Sequence, residues 1–198
     1  RAMIAVEAEG VESLVIATKS DLPQPIARIE PRLALYERLG YPVFRVSARH
    51  SPHDTVAALA PRLRSRVTLL IGESGMGKST LVNTLVPQAD LRTREISQAL
   101  RAGRHTTTFT RAFELPEPIA GGTRSWLIDS PGYQTFALAH LSASQRDHAM
   151  REFAPLLGHC RFHNCRHRQE PGCAIAAAAH AGTIDPLRYR MYLRLSED

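Results

Sequence analysis

Nine residues constrain this chain more than any others; they follow the apolar segment 67–71 and read Gly72-Glu73-Ser74-Gly75-Met76-Gly77-Lys78-Ser79-Thr80. The spacing Gly-x-x-x-x-Gly-Lys-Ser, between a strand pattern and a helix pattern, predicts a phosphate-binding loop. Glycines let the backbone turn until successive N–H groups face one concavity, and the helix N-terminus adds positive potential. Lys78 would reach the β- and γ-phosphates, and the Ser79 hydroxyl is placed to ligate magnesium. A glycine-rich turn that holds no ligand is the alternative.

The composition predicts a globular, cytoplasmic protein with a polyanionic partner. Of the 198 residues 43% are hydrophobic, and no run approaches the roughly 18 apolar residues of a membrane span. A net charge of +6 favours association with a polyanion. Three cysteines, an odd number, argue against a disulfide framework and for a reducing compartment. Because Arg1 opens what reads as the interior of a helix, we expect this chain to be a fragment of a longer protein.

The tetrapeptide Thr18-Lys19-Ser20-Asp21 follows a short β-branched run, at the carboxyl end of a predicted strand over 11–17. An aspartate there can accept hydrogen bonds from guanine N1–H and the 2-amino group, which adenine lacks on that edge. Lys19 and Lys78 are the only lysines among 25 basic residues, which favours a dedicated role for each. The pattern predicts a guanine-reading motif, and a surface turn with a capping aspartate is the alternative. The pair Ser47-Ala48, after a predicted strand over 42–46, would let the backbone approach the base from its other edge.

Two further segments are typical of loops that respond to a γ-phosphate. Residues 103–108 contain His105 and three threonines, of which we choose Thr107 as the magnesium ligand, although spacing does not separate it from its neighbours. A solvated basic loop before a strand over 109–115 is the alternative. Asp129, at the end of a predicted strand over 125–128, would hold magnesium through water, and Gly132 would offer its N–H to the γ-phosphate.

Tyr133 stands where many GTPases carry the glutamine that orients the attacking water. Another group must then serve, and His105 is our candidate because a neutral imidazole has a pKa suited to handling water. An ordinary surface histidine is the alternative.

The order of these motifs is unusual, since the guanine-reading segments precede the phosphate loop and both switch segments. Joining the old termini of a sheet and cutting another loop leaves each strand beside its neighbours, so we interpret the order as a circular permutation. The pattern resembles the RsgA (YjeQ) family of circularly permuted GTPases, which act in maturation of the small ribosomal subunit. Over nearly the whole chain, the resemblance implies the guanine, phosphate and switch roles given above and a catalytic role for His105. Thr18 departs from the asparagine that is commoner in the family, and the family's N-terminal OB-fold is missing.

The resemblance also implies a structural zinc site formed by Cys160, Cys165, His167 and Cys173. Three thiolates and one imidazole complete a closed tetrahedral shell, which suits a short segment with a thin apolar core. His159 and His163 could compete as ligands, but the spacing of Cys165 and His167 matches the family. Free cysteines without a metal are the alternative.

We therefore predict an α/β fold: a circularly permuted P-loop GTPase sheet with helices on both faces over residues 1–141, then a linking helix and a small, mainly helical zinc-binding domain over 142–198. The patterns predict helices from Pro31 to Gly40, over 54–63 and over about 142–157. The function expected is that of a monomeric GTPase that uses GTP/GDP and Mg2+. It would bind the small ribosomal subunit and its rRNA, with no membrane partner, and leave upon hydrolysis. A P-loop ATPase or small-molecule kinase with an accessory zinc knuckle is the alternative, and an RNA-binding module whose nucleotide site is only structural is a third interpretation.

Overall fold

A computed structural model of the chain describes residues 1–91, 110–131, 138 and 140–195. Its contacts divide the chain into two compact units. One comprises residues 14–134, and the other joins residues 1–13 to residues 135–198. The division differs from the domain boundaries expected from the sequence, because the N-terminal helix α1 (Ala2–Ala8) groups with the C-terminal residues. Within that unit the carboxylate of Glu7 pairs with the guanidinium of Arg151 at 2.9 Å.

The unit of residues 14–134 is built on short strands. Strand β1 (Val15–Ala17) pairs in parallel with β2 (Val43–Arg45). Strand β5 (Trp126–Asp129) lies between β3 (Val67–Leu70), to which it is parallel, and β4 (Arg111–Glu114), to which it is antiparallel. All five predicted strands are present among the described residues, although several are shorter than predicted. Each parallel strand ends at one of the polar motifs.

The helices of this unit connect the strands. They are α2 (Pro23–Arg38), α3 (Pro52–Leu63), α4 (Lys78–Leu85) and α5 (Glu117–Ala120), and a 3-10 turn over Pro87–Ala89 follows α4. The prediction that a helix starts at Pro31 was wrong, because Pro31 lies inside α2. The helix begins at Pro23, where a missing N–H costs nothing because the first-turn donors have no intrahelical partner. Pro23, Pro25 and Pro31 all suit a first helical turn, so residue type alone does not separate them.

A buried apolar layer holds α3 and α4 against β5. Its fully buried members include Leu59 of α3, Leu81 and Leu85 of α4, Ile119 of α5 and Leu127 of β5. Burying a leucine side chain contributes roughly 1.5–3 kcal/mol. Because α4 begins at the last residues of the phosphate loop, this packing fixes the loop's carboxyl end.

The second unit is mainly helical, as predicted. Besides α1 it contains α6 (Ala143–His148), α7 (Ala174–His180) and α8 (Pro186–Leu195), with a 3-10 turn over Ala154–Leu156. The prediction of one helix over 142–157 was wrong. Helix α6 begins with a capping box between Ser142 and Gln145 and ends at His148. Pro155, which has no N–H for a helical hydrogen bond, also disfavours a continuous helix through 157.

A separate core serves this unit. Phe153 is fully buried, and its ring meets the ring of Tyr192 edge-on at a centroid distance of 4.9 Å. Ile4, Met150, Ile175 and Ile184 are buried in the same cluster. Arg188 of α8 is buried as well, and its guanidinium pairs with the carboxylate of Glu152. Among the described residues, no helix is both long enough and apolar enough to cross a membrane.

Candidate nucleotide and metal sites

The phosphate loop connects β3 to α4 through two turns that require glycine. Gly75 has φ 82° and Gly77 has φ 91°, values in the left-handed region that side-chain-bearing residues rarely adopt. Gly77 is also the residue that precedes the first turn of α4, and its carbonyl accepts the N–H of Leu81. A helix N-terminus directly after a glycine turn presents its free N–H groups to an anion.

Lys78 folds back over the loop that precedes it. Its Nζ donates to the carbonyls of Gly72, at 2.6 Å, and Glu73, at 2.9 Å. Burial lowers the pKa of Lys78, and the nearby negative charge of Asp129 opposes that shift. The ammonium is therefore held at the loop, beside the carboxyl end of β5. Ser79 and Thr80 follow in the first turn of α4.

Asp129 is the most deeply buried charge of this unit's described part, with 0% of its surface exposed. Neither of its carboxylate oxygens has a hydrogen-bond partner among the described residues. Burial raises the pKa of Asp129, while Lys78 and Arg111 lower it. A buried carboxylate without a partner is costly, and a cation is what would compensate it. Oxygen ligands are also those that magnesium prefers, so Asp129 fits a magnesium site beside the phosphate loop.

The predicted guanine motif, residues 18–21, meets the predicted phosphate loop directly. The hydroxyl of Thr18 donates to the carbonyl of Met76 at 2.6 Å, and Nζ of Lys19 donates to the carbonyl of Gly75 at 3.1 Å. Lys19 has φ 57°, which turns the chain at the end of β1 toward the loop. These residues are separated by more than 50 positions in the sequence, and the structure brings them together at one rim, as their motifs predicted.

Asp21 is held by the segment after β2. The hydroxyl of Ser47 donates to Oδ1 of Asp21 at 2.5 Å, and Nε2 of His50 lies 3.5 Å from Oδ2. The hydrogen bond from Ser47 is the main cause that lowers the pKa of Asp21, so the carboxylate is ionised at neutral pH. The N–H of Ser20 donates to the carbonyl of Val46. The sequence did not reveal His50, because no motif spacing marks it.

Ala48 has a structural role besides the one expected. Its carbonyl accepts a hydrogen bond from the hydroxyl of Thr84, in α4, at 3.0 Å. The segment after β2 is thereby tied to the helix that follows the phosphate loop.

Three predicted site residues lie outside the described residues: His105, Thr107 and Gly132. Their roles stay predictions.

Cys160, Cys165, His167 and Cys173 form one cluster in the helical unit, with ligand atoms that all lie within 4.8 Å of one another. Nδ1 of His167 lies 3.5 Å from Sγ of Cys160 and 3.6 Å from Sγ of Cys173, and those two sulfurs are 3.9 Å apart. A tetrahedral zinc ion with ordinary bond lengths would separate two sulfurs by about 3.8 Å, and a sulfur and a nitrogen by about 3.6 Å. The four residues therefore fit a zinc ion.

A single carboxylate organises the loop between the ligands. Glu170 accepts hydrogen bonds from the backbone N–H groups of Arg166, Arg168 and Gln169, at 2.8, 2.8 and 3.1 Å. Burial alone would raise the pKa of Glu170, but these backbone donors outweigh it and lower the pKa to about 2. The hydroxyl of Tyr189 donates to the carbonyl of His167, which has φ 59°. The sequence reasoning missed Glu170, because an acidic residue in a polar loop carries no spacing signal.

Burial and the neighbouring thiols make it unfavourable for these cysteines to ionise when no cation is bound. Burial is the largest cause that raises the pKa of Cys165, to about 12, and burial also raises the pKa of Cys173. The N–H of Ala176, in the first turn of α7, donates to Sγ of Cys173 at 3.3 Å. Zinc binds thiolates, so the ion would supply the charge that lets these buried groups ionise.

Comparisons with known proteins agree on one family. The profile of a family described as RsgA GTPase matches residues 1–139. The small ribosomal subunit biogenesis GTPase RsgA of Paraburkholderia xenovorans is 50% identical over 195 residues, which cover 98% of this chain and 61% of that protein. The protein of the same name in Ralstonia pickettii is 47% identical, with the same two coverages. The chain thus spans about three fifths of the length of these curated relatives.

Two solved structures show the fold. YjeQ from Thermotoga maritima has a TM-score of 0.75 at 23% identity, over 99% of this chain and 63% of that one. YloQ, described as a circularly permuted GTPase, has a TM-score of 0.69 at 22% identity, over 99% of this chain and 60% of that one. The predicted permuted α/β fold is confirmed by this likeness.

Proposed function

Because this chain belongs to the RsgA GTPase family, we propose that it binds and hydrolyses GTP at the rim where Thr18 and Lys19 meet the phosphate loop. Those two hydrogen bonds carry the proposal, since they join a base-reading motif to a phosphate-binding one. A GTP molecule would place its base beside Asp21 and its phosphates over residues 72–80. Family membership favours this function over the ATPase or kinase alternative.

Asp21 is the residue that supports guanine over adenine. Its carboxylate is ionised and held by Ser47, and it can accept the two donors on one edge of guanine. Losing such a charged pair costs several kcal/mol, which is the size of selection that a site of this kind achieves.

Nucleotide competition tests this assignment. Asp21→Asn should weaken GTP binding by at least tenfold and favour xanthosine triphosphate, whose base carries an acceptor where guanine carries a donor. Asp54→Asn, the same change at an exposed position in α3, serves as the control and should leave the preference unchanged. An Asp21→Asn variant that still prefers GTP would overturn the guanine assignment.

Magnesium and the phosphates would be held by residues on both sides of the loop. The hydroxyl of Ser79 and, through water, the carboxylate of Asp129 would hold the ion, which would supply positive charge to the phosphates. The buried carboxylate of Asp129, which has no hydrogen-bond partner in the described part of the chain, supports this role. We extend the proposal to Thr107 as a further magnesium ligand and to Gly132 as a γ-phosphate donor through its N–H.

We propose His105 as the residue that positions the attacking water, because Tyr133 replaces the usual glutamine. His105→Ala should lower the turnover number at least tenfold with less than twofold change in GTP affinity. His53→Ala, at an exposed position in α3, is the control for histidine removal. A loss of affinity without a loss of turnover would make His105 a binding residue instead.

The cluster of Cys160, Cys165, His167 and Cys173 would hold one structural zinc ion. The match of its interatomic distances to a tetrahedral site supports this assignment. Four protein ligands leave no position for a substrate, so the ion would stabilise the loop rather than react. Metal analysis of the purified chain should give one zinc per chain, and Cys165→Ser should abolish it. Zinc retained after that substitution would contradict the ligand set.

We infer that the partner is the small ribosomal subunit, since that is what the names of the curated relatives give. Arginines 161, 166 and 168 intersperse the metal ligands and suit contacts with rRNA phosphates. A factor of this kind acts in the cytoplasm and, on this proposal, is monomeric when it is off the ribosome. GTP hydrolysis would release it from the subunit.

Turnover measured with and without subunits tests the partner. The rate should rise with added small subunits, and large subunits serve as the control. Equal rates in the three conditions would count against the ribosomal role. Replacing Arg161, Arg166 and Arg168 with glutamine should weaken subunit binding and lower its salt dependence, because fewer phosphate contacts release fewer counterions.

A further inference from the structure

Asp147 lies next to the cluster of three cysteines and His167, on the side of the His167 ring that faces away from the thiols. Nδ1 of His167 is directed at the cysteine sulfurs, while Nε2 lies 3.7 Å from Oδ2 of Asp147. Asp147 belongs to α6 and is only 9% exposed, and His167 is 5% exposed. A carboxylate thus faces the free ring nitrogen of the imidazole inside the protein.

Asp147 is itself held by a second residue. The hydroxyl of Tyr192, in α8, donates to Oδ1 of Asp147 at 2.5 Å, and Tyr192 is 3% exposed. Phe153 packs edge-on against both rings, at 4.9 Å from the Tyr192 centroid and 6.2 Å from that of His167. The carboxylate therefore has one oxygen fixed by Tyr192 and the other directed at His167.

The two nitrogens of an imidazole differ in protonation, which explains how Asp147 can affect a ligand. A neutral imidazole carries its proton on one nitrogen and its lone pair on the other, so a ligand that binds through Nδ1 must be protonated at Nε2. A carboxylate beside Nε2 favours that tautomer, fixes the ring and makes the ligating nitrogen more basic. Three thiolates outweigh the charge of a zinc ion, so the net charge of the site does not attract Asp147. Asp147 is held instead by its contacts with the ring N–H of His167 and with the hydroxyl of Tyr192.

We propose that Asp147 is a positioning residue for zinc, which sets the tautomer and orientation of His167, and that Tyr192 holds Asp147 in place. This inference rests on the proposed zinc site. It ties the metal to α6 and α8, and Tyr189 of α8 holds the backbone of the same ligand through its hydrogen bond to the His167 carbonyl. Two tyrosines on one helix thus fix both the ring and the main chain of His167.

The test is a zinc competition titration of the full chain against a chromogenic chelator. Asp147→Asn keeps the size of the side chain but removes its charge, and it should weaken zinc binding about tenfold, the lower end of the usual range because 3.7 Å exceeds hydrogen-bond length. Tyr192→Phe should weaken it in the same direction, by about threefold, because Asp147 keeps its charge. Asp54→Asn, in the other unit, should have no effect.

A double-mutant cycle separates positioning from mere structure. In a His167→Cys background the ring N–H is gone, so Asp147→Asn should no longer cost zinc affinity. An equal cost in both backgrounds would overturn the inference. If His167→Cys does not bind zinc, the Co2+-substituted wild type and Asp147→Asn decide: a changed visible spectrum supports a repositioned ligand, and an unchanged spectrum with unchanged affinity overturns it. A wild-type chain that binds no zinc would instead refute the metal site itself.

Discussion

The hydroxyl of Thr18 links the predicted guanine motif to the phosphate loop through one hydrogen bond. Thr18→Val removes that hydrogen bond without changing the side chain's shape. The hydroxyl donates to the carbonyl of Met76 at 2.6 Å, directly before the left-handed Gly77. A Cβ atom added to Gly77 would lie 3.5 Å from Oγ1 and 3.6 Å from Cβ of Thr18, so the Thr18 side chain stands close beside the Gly77 backbone. Valine would keep that contact and lose only the hydrogen bond.

The expected effect is modest and can be worked from this one bond. An intramolecular hydrogen bond contributes about 0.5–1.5 kcal/mol net, and Thr18 is partly exposed, so water can replace the lost donor. A loss of about 1 kcal/mol corresponds to nucleotide binding that is about fivefold weaker. GDP and GTP should weaken equally, because the bond supports the loop rather than the γ-phosphate. Titration of the purified chain with each fluorescent nucleotide measures the two affinities.

Two other variants bracket the result. Thr18→Asn restores a donor of similar reach, and it should bind GDP at least as tightly as the wild type. Thr123→Val removes a hydroxyl that also donates to a backbone carbonyl, that of Ala120, and it should leave nucleotide affinity unchanged. Unchanged affinity in Thr18→Val would refute the tether. A loss greater than about fiftyfold would exceed what one such bond supplies and would mean that Thr18 contacts the nucleotide itself.

Three further predictions concern the buried charges and the metal. Asp129→Asn should raise the melting temperature of the nucleotide-free chain by about 2–6 °C, since it removes a buried charge that has no hydrogen-bond partner among the described residues. The same change should abolish stabilisation by magnesium and GDP, and a lower melting temperature without ligand would contradict this reasoning. Glu170→Gln should speed exchange of the Arg166 and Arg168 amide hydrogens about thirtyfold, for about 2 kcal/mol of lost charge-assisted bonding, as measured by NMR. Because the pKa of Glu170 is lowered from 4.5 to about 2, its stabilisation is complete above pH 4.5 and is lost only as the pH falls toward 2, so this effect should be constant between pH 6 and 8. Removing zinc with a chelator should reduce the near-ultraviolet tyrosine signal, because the hydroxyls of Tyr189 and Tyr192 bond to His167 and Asp147. It should change GDP affinity less than twofold, because the cysteine and histidine cluster and the phosphate loop belong to different compact units. An unchanged tyrosine signal would contradict a structural metal.

The candidate site residues that could be predicted from the sequence have one property in common: their chemistry requires a particular residue type. A phosphate loop needs glycine at left-handed positions, as at Gly75 and Gly77, and a thiolate site needs cysteine, so residue type itself carries the information. Supporting residues carry no such mark. Glu170 could be replaced by another acceptor, and Asp147 reaches His167 from a helix some 20 positions earlier in the chain. Only the folded structure reveals which polar groups meet.

The helix predictions failed where local signals competed. Pro31 resembles a helix start, yet α2 passes through it, because the flanking turns and the contact of Leu33 with the core stabilise the helix against one missing hydrogen bond. Over 142–157 the apolar pattern persisted after the helix ended, since Met150 and Phe153 are buried from a turn rather than from a helix. Burial periodicity reports which residues face a core, and a turn can produce it as well as a helix.

The permuted order removes none of the hydrogen bonds that join strand ends at the candidate nucleotide site. Thr18 and Met76 are 58 positions apart, and Ser130 of the segment after β5 donates to the carbonyl of Leu70 at 2.7 Å, 60 positions away. The first bond joins the end of β1 to the loop between β3 and α4, and the second joins the ends of β3 and β5. Segments at the carboxyl ends of strands can meet in this way whatever order the chain visits them in. Long-range closure costs entropy that rises only slowly with loop length, so interchanging the order changes that cost little. The side chains at the strand ends therefore decide what the rim binds, and the connection order decides only which segment follows it in the chain.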